Sequence, residues 1–169
     1  MHRCRLGLVT VALTASLATA ASAQLLARKD LSLATALTIA TTAAETCKAN
    51  GYRVSATVVG RAGEIIVQLR GDNTGPHTIE NSFRKAYTAR TFRVPSGEIV
   101  NRLKANPQLG AVHLTNVVAA QGALPITVGT DVLGAAGVSG AVTTAESPGG
   151  VKDEACVKAG LDKVADQLK

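Results

Sequence analysis

Aromatic side chains are almost missing from this chain. Its 169 residues include no tryptophan, two tyrosines and two phenylalanines. A protein that grips nucleic acid by stacking bases needs such platforms, so a net charge of +6 does not point to nucleic acid. Cysteine is scarce too, with three in all, and neither C-x-x-C nor H-x₃-H spacing occurs. A zinc site built on those patterns is therefore not indicated. There is no P-loop and no dinucleotide fingerprint. Ser139 stands in "GVSGA", which lacks the G-x-S-x-G spacing of a nucleophile elbow. Asp153 and Glu154 are adjacent at an expected helix start, so they do not face each other as an acid/base pair. Catalysis by the chain's own side chains has no visible basis. Catalysis by a bound cofactor stays open.

One apolar run exists, and it is short. "MHRCRLGLVTVALTASLATAASAQ" carries Arg3 and Arg5, then an apolar core from Leu6 to Ala20, then Ala21-Ser22-Ala23. That order predicts a secretory signal peptide over residues 1–23, with a single domain over 24–169. The run is too short and too rich in Ala and Thr for a membrane span, so no stable membrane anchor is expected after cleavage. The alternative is an uncleaved amphipathic helix. A periplasmic or secreted chain meets an oxidising compartment, where its two remaining cysteines, Cys47 and Cys156, favour pairing.

Periodicity supplies the elements. "DLSLATALTIATTAAETCKANG" predicts a helix capped by Ser32, with Leu33, Ala36, Leu37, Ala40, Ala44 and Cys47 on one stripe, stopped at Asn50-Gly51. Val54, Ala56 and Val58 alternate with Ser55 and Thr57, and "EIIVQLR" returns as a second strand. Thr78 is the expected N-cap of a helix to about Phe92; Ser96 caps a shorter one ending before Pro107. "LPITV" and "VLGAAGVSG" predict two more strands. "DEACVKAGLDKVADQLK" predicts a last helix, with Asp153 and Glu154 near its positive end and an apolar side of Val157, Leu161, Val164 and Leu168. The order implies an α+β domain around a mostly antiparallel sheet.

Local charge is concentrated. Arg84, Lys85, Arg90, Arg93, Arg102 and Lys104 meet only Glu80 and Glu98 in the same stretch, which suits a small anionic ligand or a solvated face. His77 precedes the first turn of that helix, where it can ligate a metal, cap the helix or face water. His113, in "AVHLTN", has apolar neighbours that suit a hydrogen-bonded core histidine. Tyr87 can pack its ring or meet a ligand.

Taken together, "LSLATALTIATTAAETCKANGYRVSATVVGRAGEIIVQLRGD", "GPHTIENSFRKAYTARTFRVPSGEI", "LPI", "VLGAAGVSGA" and "DEACVKAGLDKV" resemble the GlcG/HbpS-like family, in particular an exported branch. The resemblance covers nearly all of residues 24–169. It implies a profilin-like antiparallel sheet with the N- and C-terminal helices packed side by side, and hence a Cys47–Cys156 disulfide. It implies haem, or a related tetrapyrrole, as cofactor or ligand. Relatives are known as haem binders, as haem-degrading or sensing proteins, and as modules attached to cobalamin adenosyltransferases. A haem-degrading or other small-molecule enzyme, and a non-catalytic assembly module, are therefore the competing readings. A homo-oligomer is also implied. On this resemblance His77 becomes the expected iron ligand, with His113 and Tyr87 as rivals and Arg84 and Lys85 as partners of the propionates. Three departures stand out. Ala123 replaces the second glycine of a Gly-Gly-Leu-Pro-Ile turn, Val59-Gly60-Arg61 stands where an Asp commonly begins the first turn, and "VTTAES" (142–147) looks inserted.

Overall fold

The computed structural model describes residues 25–169, so the expected signal segment 1–23 lies outside the described residues. Helix α1 spans Leu33–Ala49 and strands β1 and β2 span Ser55–Val59 and Ile65–Arg70. Helices α2 (Thr78–Phe92) and α3 (Ser96–Ala105) follow. Strands β3 (Ala123–Val128) and β4 (Asp131–Ser139) precede the last long helix, α4 (Gly149–Lys163). The stretch between α3 and β3 holds one 3₁₀ turn, Gly110–His113. The four strands form one antiparallel sheet in the order β2-β1-β4-β3. This is the α+β fold the sequence implies. Among the described residues no helix is long and apolar enough to cross a membrane.

The two faces of the sheet are covered differently. On one face α1 and α4 lie side by side, and Ile39, Ala43, Val58, Val138 and Val157 pack into a continuous core. Cys47 and Cys156 form a disulfide there, with 5.6 Å between their Cα atoms. Cys47 lies in the last turn of α1, as the sequence indicates. Cys156 lies in the middle of α4, because α4 begins at Gly149, four residues before Asp153. Asp153 is therefore inside the helix instead of complementing its first turn. The buried stripe of α1 is Ala36, Ile39, Ala40, Ala43 and Cys47. Leu33 and Leu37, expected on that stripe, are largely exposed, because the neighbouring Ile39 and Ala43 take the seam with α4.

On the other face sits α2. The alternation in β1 suggests a wet side at Ser55 and Thr57, yet all of β1 is buried. Helix α2 covers that side and matches it with hydroxyls. Ser55 Oγ and Thr78 Oγ1 share a 2.8 Å hydrogen bond, and so do Thr57 Oγ1 and Ser82 Oγ. Polar groups buried in pairs lose little, which is why a strand can be polar on a buried face. Gly137 makes the close approach of this helix feasible. A Cβ there would come within 2.8 Å of the Ala86 backbone nitrogen.

The helix caps differ slightly from expectation. Thr78 is the first residue of α2, with His77 at the N-cap, and Ser96 is the first residue of α3, after Pro95. Both hydroxyls are spent elsewhere: Thr78 Oγ1 donates to Gly75 O, and Ser96 Oγ accepts from Ala123 N. Ala123 is fully buried at the start of β3, packed beside Val59, Ala86, Ala89 and Ala135. The glycine this turn requires is Gly122, at φ +131, where a Cβ would lie 2.8 Å from Lys85 Nζ. The alanine at 123 is thus accommodated without distortion.

Candidate functional site

Helix α2 runs along β1 from Ser55 towards the β1–β2 turn, so its N-terminus meets the end of β4 and the start of α4. A cavity of about 360 Å³ opens at that junction, a volume within the small-molecule range. His77, Thr78, Asn81 and Lys85 contribute from α2, Ser139 from β4 and Asp153 from α4. Positions 77, 81 and 85 are four residues apart and share one helix face. Arg53, Ala141, Val142 and Thr143 form part of the rim. Val142 and Thr143 belong to the stretch 142–147 and line the pocket edge. This stretch is tied down by Lys152 Nζ, which donates to Val142 O and Thr144 Oγ1, and by Gly149 N, which donates to Thr143 Oγ1.

The floor is a buried ion pair. Lys85 Nζ donates to Asp153 Oδ2 at 2.7 Å and to Val138 O at 3.1 Å, and Asp153 Oδ1 accepts from Ala141 N at 3.0 Å. Lys85 is 4% exposed and Asp153 2%. Burial pushes the Asp153 carboxyl above its ordinary pKa, against the pull of Lys85 and of the Ala141 and Gly140 backbone N–H groups. Beside the pair, Asn81 Nδ2 donates to Ser139 Oγ at 3.0 Å. No general base is hydrogen-bonded to Ser139 among the described residues.

His77 sits at the mouth. Its side chain makes no capping hydrogen bond and is exposed. Gly75 lies directly beneath the ring, where an added Cβ would stand 2.9 Å from its Cε1. The imidazole is thus backed by main chain and free at its nitrogens.

The other expected site residues are dispersed. Lys85 lines the cavity, but its ammonium is committed to Asp153, so it is a structural cation before it is a ligand-binding one. Arg84 points elsewhere, donating to Val117 O at 2.8 Å and pairing with Glu80. Tyr87 packs on Phe83, ring centroids 5.8 Å apart, and against Gly63 of the β1–β2 turn. His113 is exposed in its 3₁₀ turn and has no side-chain hydrogen bond, contrary to the core role its apolar neighbours suggest. The apolar residues around it are themselves only partly covered, so no pocket forms to receive the ring. The sequence does not single out Arg53 or Asn81, and marks Ser139 only as a serine outside a nucleophile elbow. The i, i+4 relation of Asn81 to His77 was the available signal; nothing local marks Arg53. Among the described residues no group of three or more His, Cys, Asp or Glu could hold a metal ion, so any iron here would rely on a porphyrin for its other ligands.

A larger cavity, about 470 Å³, lies between the end of α1 and residues 70–73. Its charges are mixed (Glu45, Lys48, Arg70, Asp72), and of the residues above it shares only Arg53.

Residues 31–162 match the family model for haem degrading protein HbpS-like. The chain belongs to the HbpS-like family. A crystal structure of a double mutant of HbpS from Streptomyces reticuli is 30% identical, with a TM-score of 0.76 over 89% of this chain and 98% of that one. A second HbpS structure is 32% identical over 86% of this chain, also at 0.76. The PduOC:heme complex is similar in fold, at 19% identity and a TM-score of 0.67. An uncharacterized 15.0 kDa protein from the dhaT-dhaS intergenic region of Citrobacter freundii is 34% identical over 86 residues, 49% of this chain and 61% of that protein. For this HbpS-like chain the comparisons support the fold and a haem-related role.

Proposed function

We propose that this protein binds haem, or a closely related tetrapyrrole, at the mouth of the cavity where α2 meets α4. The observation that carries the reading is His77: an exposed imidazole, unengaged by its own helix and backed by Gly75, at a cavity that Arg53 also lines. Arg53 has no ion pair and no side-chain hydrogen bond among the described residues. It replaces Arg84 and Lys85 as the cation for a propionate. The residues present therefore fit the group: one free nitrogen donor for iron, one free guanidinium for a carboxylate, and two helix N-termini that favour negative charge. Haem itself would supply redox chemistry at its iron. The protein's part is to present the imidazole, pair the carboxylate and close one side with Val142 and Thr143.

Titration of the purified protein with hemin tests this. A saturable Soret shift is expected, and His77→Ala should displace the band and weaken binding by about tenfold or more, whereas His113→Ala should do neither. An unchanged spectrum and affinity in His77→Ala would overturn the assignment. The family's description as haem-degrading favours a second reading, oxidative turnover at the same place. Loss of the Soret band with reductant and oxygen, absent in a boiled control, is its signature.

We further propose that the chain is exported to the periplasm or beyond and cleaved near Ala23, and that it self-associates. The Cys47–Cys156 disulfide supports the export reading, since such bonds persist in oxidising compartments. Intact-mass analysis and light scattering are the respective checks.

A further inference from the structure

The opposite end of α2 carries a second cluster that neither the haem reading nor the family assigns. A pocket of about 260 Å³ is lined by Arg28, Arg61, Arg90 and Arg93, with Thr130 and a single carboxylate, Asp131. These residues come from four separate segments: the chain before α1, the β1–β2 turn, the end of α2 and the β3–β4 turn. Arg61 is already neutralised. Its Nη1 and Nη2 donate to Asp131 at 2.9 and 2.6 Å, and its Nε donates to Lys29 O. That leaves three guanidiniums, Arg28, Arg90 and Arg93, in no ion pair and no side-chain hydrogen bond among the described residues; Asp131 and Glu64 reach Arg90 only at longer range.

Two observations show that this surplus is more than a solvated face. Arg90 Nε is buried and has no hydrogen-bond partner. Leaving such a donor unmet is costly, and a ligand atom would meet it. Burial, then the charges of Arg93 and Arg61, pulls the Arg90 pKa below its ordinary value, against the weaker opposing pull of Asp131 and Glu64. Second, Arg93 adopts φ +58 as the left-handed C-cap of α2. Glycine is the residue that position favours. An arginine there accepts backbone strain while adding a guanidinium to the cluster.

We infer that the Arg28/Arg90/Arg93 pocket binds a small dianionic oxyanion, inorganic phosphate or the terminal phosphate of a phosphomonoester. Guanidinium forks match phosphate oxygens bidentately. Four arginines against Asp131 in the lining, with Glu64 acting on Arg90 from outside it, leave a positive surplus that suits a compact dianion better than a single carboxylate, and Thr130 also lines the pocket. The site is separate from the His77 cavity: the 15 residues of α2 put its two ends roughly 20 Å apart.

The test is calorimetry of the purified protein with inorganic phosphate at constant ionic strength, against chloride and acetate controls. Saturable 1:1 binding to phosphate is expected, together with a rise in melting temperature by mass action. Arg93→Gly removes one guanidinium and relieves the left-handed residue. It should fold at least as well as the parent yet bind phosphate about tenfold more weakly. Arg90→Gln should lose binding further. Failure of the parent to saturate, or undiminished phosphate binding in a folded Arg93→Gly, would overturn the inference. Hemin affinity that falls in Arg93→Gly while the parent ignores phosphate would also overturn it, by assigning the cluster to propionates. Phosphatidic acid vesicles binding where free phosphate and glycerol phosphate do not would assign it to a lipid surface, with the same consequence.

Discussion

The two ends of α2 handle buried charge in opposite ways. Towards the N-terminal end Lys85, midway along α2, is fully sequestered, and its ammonium meets Asp153 and Val138 O. At the C-terminal end Arg90 is partly buried, its Nε meets nothing, and the repulsion of Arg93 and Arg61 outweighs the attraction of Asp131 and Glu64. The first arrangement is self-sufficient and holds α2, β4 and α4 together. The second is incomplete as it stands. A fold needs the first kind for its architecture; the second kind makes sense as a receptor. The contrast also explains why the basic stretch of the sequence misleads when read as one patch. Its cations divide between a structural pair, a backbone contact from Arg84, and an open cluster.

The largest expected effect breaks the self-sufficient end. Asp153→Asn leaves the Lys85 ammonium buried beside a neutral amide, and removing one partner of a buried pair costs about 3–5 kcal/mol. Thermal or urea denaturation should show that loss, and Lys85→Met combined with Asp153→Leu should recover much of it. A loss below about 1 kcal/mol for Asp153→Asn would mean that the pair is wetter than its exposure indicates. The neutral-for-charged change at the other end, Arg90→Gln, should cost far less.

A smaller effect acts on both ends alike. The Cys47–Cys156 disulfide closes a separation of 109 residues and clamps α1 to α4 on the far face of the sheet. Cys47→Ser paired with Cys156→Ser should lower stability by about 2–5 kcal/mol, mostly through the unfolded chain. Because neither ligand pocket is built on that clamp, hemin and phosphate binding should persist at temperatures where the double variant remains folded. If either affinity collapses at those temperatures, the far face controls the pockets and the two ends are not independent.

The sequence made the element order, the antiparallel sheet and the cysteine partners legible, because each rests on a local period or on a pattern that spans the chain. Ser55 and Thr57 were legible as polar, but not as buried. Their partners, Thr78 and Ser82, lie on another element, and periodicity reports a strand's own alternation and not what covers it. His77 stood out because Gly75-Pro76 and a helix start frame it locally. Asp153 was visible as an acid near a helix start, yet its partner is 68 residues away. The arginine cluster escaped for the same reason: Arg28 and Arg61 lie far in sequence from Arg90 and Arg93, and only the turns at one end of the sheet bring them together.

The smallest expected effect sharpens the comparison at its one point of symmetry. The N-terminal end also holds an unmet buried atom, Glu154 Oε2, the counterpart in charge of Arg90 Nε. Glu154 Oε1 accepts a 3.3 Å bond from Gln121, and burial raises the carboxyl's pKa against the pulls of Gln121 and Lys85. A raised carboxyl pKa means that the folded chain holds the proton more tightly than the unfolded one. The stability this group contributes is therefore complete below its ordinary value of 4.5 and is lost as pH rises through the higher folded value. Glu154→Gln removes the charge and with it that loss. The variant should match the parent at low pH and exceed it near neutrality, by no more than about 1 kcal/mol given the partial exposure of the group. No ligand is needed to relieve this group, because a carboxyl can take up a proton where a guanidinium keeps its charge. A stability difference that stays flat across that pH range would show that Glu154 ionises as freely folded as unfolded, and would leave Arg90 as the only buried charge in the comparison with an unmet demand.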